Sequence, residues 1–123
     1  MRVHHVAIRV ADVERSLAFY AGVLGLEVVE RYPEGAGLRS AWLRMGAGLL
    51  MLERDLAGAG ATTGSGHLLA FDVRAAPPAE PLRAWTTRLA RAGVVVDSRT
   101  EHTLFCRDPD GHRVGLSTFP LAD

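Results

Sequence analysis

At 123 residues the chain has the length of a single domain with a core of its own. Hydrophobic residues make up 48% and charged residues 23%, and the formal net charge is zero, so there is no electrostatic reason to expect nucleic acid or an anionic membrane as partner. The 14 basic residues are all Arg, which excludes lysine nucleophiles and Schiff bases, and the single cysteine, Cys106, excludes an intrachain disulfide. A reducing cytoplasm is the expected home, since the charged start Met1-Arg2-Val3-His4-His5 does not read as a signal peptide.

Residues 3–10 alternate, with His5 and Arg9 on one side and Val6, Ile8 and Val10 on the other, which predicts a strand with two unlike faces. Asp12 follows as an N-cap, and Val13, Leu17, Tyr20, Ala21 and Leu24 recur at helical spacing until Gly25. Strands are then predicted over 26–31, 39–45 and 49–53, the last two joined by the tight turn Gly46-Ala47-Gly48. Residues 56–66 are mostly Gly, Ala and Thr with little to bury, and read as a flexible connector.

After the connector the pattern restarts. A strand over 67–73 is followed by Pro77, Pro78 and Pro81, then by a helix with Leu82, Trp85, Leu89 and Ala92 on one face, ending at Gly93. Strands are predicted over 94–98, 102–107 and 112–118, with Asp108-Pro109-Asp110-Gly111 as the last turn. The order strand–helix–three strands thus occurs twice. The predicted architecture is α+β: two tandem βαβββ modules, 1–55 and 67–123, forming a cup-shaped mixed sheet with the helices packed outside.

Several stretches resemble the vicinal oxygen chelate superfamily, which includes glyoxalase I, extradiol dioxygenases and the fosfomycin and bleomycin resistance proteins. They are His5-Val6-Ala7-Ile8-Arg9-Val10-Ala11-Asp12, Ser16-Leu17-Ala18-Phe19-Tyr20 with Leu24-Gly25-Leu26, Gly66 through Val73, and Asp108-Pro109-Asp110-Gly111-His112-Arg113. The resemblance implies a small-molecule site, commonly a homodimer, and one divalent ion (Zn, Ni, Mn or Fe) held by a histidine from the first strand of each module and carboxylates from the last strands. On that pattern His5 and His67 are the two histidine ligands. The last-strand carboxylate is missing, because Gly115 stands there, and the nearest acid in the fourth strand is Glu53.

If Glu53 faces the site, His5, Glu53 and His67 form a facial triad with Glu53 as catalytic base; a one-residue register slip turns Glu53 to solvent. Arg9, beside His5, is the candidate for gripping a substrate carboxylate. The implied function is a metal-dependent isomerase, lyase or oxygenase acting on a small substrate with vicinal oxygens. The alternative is a metal-free binder of a drug or metabolite, which the thin carboxylate set fits. Cys106 reads as a buried inert thiol, His102 and His112 as rim residues, and Trp42, Met51, Phe71 and Trp85 as mostly core.

Overall fold

The computed structural model describes residues 1–54, 67–74 and 80–121. The predicted connector over 56–66 and the residues Pro77 and Pro78 lie outside that range. The chain divides into two compact units, Met1–Thr62 and Thr63–Asp123, and each repeats one plan. In the first unit β1 (His5–Val10) leads to α1 (Val13–Leu17), which continues as a π-helical segment over Ala18–Val23, and then to β2 (Val28–Glu34), β3 (Gly37–Met45) and β4 (Gly48–Arg54). In the second, β5 (Leu68–Asp72) leads to α2 (Pro81–Arg91), β6 (Ser98–Arg99), β7 (Thr103–Arg107) and β8 (Arg113–Ser117). The sheet orders are β1-β4-β3-β2 and β5-β8-β7-β6, each with its first and last strands parallel. This is the α+β, twice-βαβββ architecture the sequence predicts.

Local chemistry explains the elements. The Asp12 carboxylate accepts the Arg15 amide at 3.1 Å and caps α1. Gly25 and Gly93 hold φ of 83° and 74°, the left-handed conformation that ends a helix at low cost. The Leu26 amide is then taken by the Tyr20 carbonyl at 3.0 Å, so β2 starts at Val28 rather than at 26 as predicted. Pro33 is tolerated inside β2 because that strand is the sheet edge. The Val94 amide is likewise spent on the Leu89 carbonyl, and the strand predicted over 94–98 shrinks to Ser98–Arg99. Between β7 and β8 the buried Asp108 carboxylate accepts the amides of Asp110 and His112 at 2.9 and 2.8 Å, locking the predicted turn.

One side of each sheet is buried. In the first unit Val10, Ala41, Leu43, Leu50 and Leu52 are fully buried on the side where α1 lies against β3 and β4. In the second, Leu104, Cys106, Val114 and Leu116 do the same beneath α2, which adds Leu89. The Cys106 thiol is pushed up to about 11, chiefly by burial and then by Asp97 and Asp108, so it is inert near neutrality. No described helix is long and apolar enough to cross a membrane.

Candidate functional site

The side of each sheet turned away from its helix is where chemistry is available. In the first unit strand register sets that face out in rows, because laterally paired residues share a side. Arg9, Glu53, Ser40 and Tyr32 form one row across β1, β4, β3 and β2. The next is Ala7, Met51, Trp42 and Glu30, and the one beyond holds His5, Leu49 and Arg44.

Glu53 therefore stands on the same side as His5 and Arg9. It does so in Arg9's row, four residues along the ladder from His5. At a rise of about 3.3 Å per residue that offset is roughly 13 Å. Metal–ligand bonds are about 2 Å, so two side chains rising off the sheet do not meet at one ion across that span. The row that lies between, beside Ala7, offers Met51 instead of an acid.

The second unit corrects a further expectation. Its register pairs Leu68 with Arg113, Ala70 with Gly115 and Asp72 with Ser117 on the side away from α2. Both first strands run from exposed to half-buried in strict alternation and then meet a buried valine, Val10 in one and Val73 in the other. His5 lies five residues before Val10, and Leu68 lies five residues before Val73. His67 is thus the counterpart of His4, one step before β5 and on the alternate side from Leu68. Apolar spacing carried this signal: Val6, Ile8 and Val10 match Leu69, Phe71 and Val73, whereas lining up the two histidines sets Ile8 against Ala70.

Gly115 has no donor atom, and a Cβ there would meet Thr103 Cγ2 at 3.3 Å and Ala70 Cβ at 3.4 Å. Among the described residues no group of three His, Cys, Asp or Glu side chains is gathered as a metal requires. Within the first unit His5 has Leu49 and Arg44 in its own row and Met51 in the next, and within the second the first- and last-strand positions hold Leu68 and Gly115, neither with a donor atom for a metal. The residues present do not fit the implied metal centre.

Other predicted residues fall as follows. His5 is exposed, its ring nitrogen Nδ1 2.9 Å from that of His4. Arg9 is exposed and Glu53 half-buried. Trp42, Met51, Phe71 and Trp85, read as mostly core, are all half-buried, as are His102 and His112. Asp72, in the place of Arg9, accepts two hydrogen bonds from the Arg74 guanidinium at 2.9 and 2.7 Å and a third from the Arg74 amide at 2.9 Å. These bonds hold its carboxyl at about 2, below the ordinary 3.8. Sequence reasoning passed over Ser40. It is 3% exposed on the open side of β3, where a buried serine between Arg39 and Ala41 gives no pattern to notice.

The Glyoxalase/Bleomycin resistance protein/Dioxygenase superfamily model matches residues 2–116. The chain belongs to that superfamily. It is a glyoxalase/dioxygenase-like protein, and solved structures carry the same fold at low identity. A fosfomycin resistance protein, FosX, from Listeria monocytogenes, complexed with Mn(II) and dihydroxypropylphosphonic acid, is 16% identical with a TM-score of 0.79, over 98% of this chain and 94% of that one. Lactoylglutathione lyase from Agrobacterium tumefaciens is 21% identical with a TM-score of 0.72, over 94% and 92%. TioX from Micromonospora sp. ML1 is 19% identical with a TM-score of 0.71, over 95% and 98%. No curated protein sequence gives a significant match.

Proposed function

We propose that this superfamily member binds a small oxygen-bearing organic molecule on the open faces of its sheets, without depending on a metal. The observation that supports the reading is the ligand inventory of each unit: Met51 lies between Glu53 and His5 in the first, and Leu68 and Gly115 bring no donor in the second. The first unit's face is suited to binding. Arg9 brings a planar fork of donors, Trp42 and Met51 bring apolar surface, and Glu53 and Ser40 bring polar atoms in an adjoining row. The protein is proposed to work in the cytoplasm as a homodimer, which would cover the exposed sheet edges.

The Mn(II)-bound relative favours a second reading, a metal-dependent enzyme acting on vicinal oxygens. In it His5, Glu53 and His67 hold the ion, Glu53 is the base and Arg9 binds substrate. The row offset of Glu53 and the His4-like position of His67 weigh against it.

A thermal-shift screen of small oxygenated metabolites and antibiotics, run with and without EDTA, separates the two. The binding reading predicts hits whose affinity is unchanged by EDTA and by His67→Ala, and falls about tenfold in Arg9→Ala through loss of a charge-assisted hydrogen bond. Hits that vanish in EDTA and return with Mn(II) would refute it.

A further inference from the structure

Two polar atoms on the open face of the first sheet are buried and have no hydrogen-bond partner: Ser40 Oγ and Trp42 Nε1. They belong to residues two apart on β3, so both side chains rise on the same side, next to Glu53 and Met51 respectively. Ser40 is 3% exposed, which leaves its hydroxyl no bulk water to fall back on. An orphaned buried donor is costly, and two neighbours on one face concentrate that cost. Burial on the helix side would be a packing matter. Here both residues stand on the face turned away from α1.

The chemistry of the pair narrows the partner. An indole N–H only donates, so Trp42 requires an acceptor, and a serine hydroxyl can donate beside it. The Tyr32 and Trp42 rings lie 5.0 Å apart at 58°, an aromatic wall against which a flat apolar body can rest. Glu53, directly beside Ser40 in a row where Arg9 stands one strand further away, disfavours an anionic acceptor at that spot. We infer that Ser40 and Trp42 form a subsite for the neutral carbonyl oxygen of a small planar compound, an amide or aryl ketone, lying along Trp42 and Tyr32. The inference rests on the binding reading above and specifies the class of ligand that face takes.

Trp42 and Trp85 are the only tryptophans, so a Trp85→Phe chain shows a single indole N–H signal, that of Trp42. Titration of this chain with benzamide and acetophenone is followed by nitrogen–proton correlation NMR, with benzoate as the anionic counterpart. The expected result is a saturable downfield shift of the Trp42 signal with the neutral probes, a weaker response to benzoate, and about fivefold weaker binding in Ser40→Ala. A Trp42 signal unmoved at millimolar probe, one that moves equally in Ser40→Ala, or a preference for benzoate would each overturn the assignment. Calorimetric binding of a screen hit with the Trp42 signal unmoved would overturn this subsite and leave the binding reading standing.

Discussion

The two sheets of this protein are alike on the sides that touch their helices and unlike on the sides that do not. Leu50 and Leu52 in β4 answer Val114 and Leu116 in β8, all essentially fully buried, and Val10 answers Val73. On the open sides His5 answers Leu68, Arg9 answers Asp72 and Met51 answers Gly115. Ala7 and Ala70 agree, as do Arg44 and Arg107. The helix side bears the folding free energy, so both copies of the repeat keep it apolar. The open side bears chemistry and has diverged in the first and last strands, where the first sheet carries His5, Arg9 and Glu53 and the second spends its acid, Asp72, on Arg74. Matching the units by their buried residues, rather than by their histidines, is what reveals this.

The largest effect expected from that comparison is a gain. Giving the first sheet's open face the donors it lacks beside His5, with Leu49→His and Met51→Glu together, should create saturable divalent-ion binding on a calorimeter where the parent shows none. Met51→Glu alone should not. If Met51→Glu alone suffices, a donor outside that face completes the site and the ligand inventory is broken.

Next in size is the cost of damaging the shared side. Leu52→Ala and Leu116→Ala should each lose about 3 kcal/mol in urea unfolding, since both empty a fully buried site. Half-buried Met51→Ala should lose roughly 1 kcal/mol or less. Equal losses at Leu52 and Met51 would erase the distinction between the two faces.

The smallest effect concerns Asp72. Its carboxyl titrates lower in the folded chain than in the unfolded one, so its contribution is present above about pH 4 and disappears as the pH falls towards 2. Asp72→Asn should therefore lower stability slightly above about pH 4 and flatten the acid limb, the two profiles converging as the pH falls towards 2. A profile that keeps its slope would show that Arg74 does not hold the carboxylate in solution.

Much of this fold was legible from residue order alone. Asp12, Gly25, Gly93 and the Asp108–Gly111 turn each carry a local chemical reason for the break they make, and the doubled pattern made the two-unit plan plain. Strand starts were harder, because the amides of Leu26 and Val94 go to helix carbonyls and a propensity pattern does not show that commitment. The site was read less well. His67 looked like His5's twin because both histidines open an apolar run, but the faces are set by where the core residues fall. Glu53 posed a question of side and of row. The side follows from pairing with Arg9, and the row sets it apart from His5. Ser40 could not be found at all without its burial, since an isolated serine in a strand carries no periodic signal.

The central proposal is that the described residues of this glyoxalase-superfamily chain gather no chelating centre, Leu68 rather than His67 being the counterpart of His5. The most direct test is calorimetric titration of tag-free protein with Zn(II), Ni(II) and Mn(II), beside His5→Ala and His67→Ala. The account predicts no stoichiometric site in the unaltered chain and no difference in His67→Ala. One tightly held ion per chain, lost on changing His67, would contradict it.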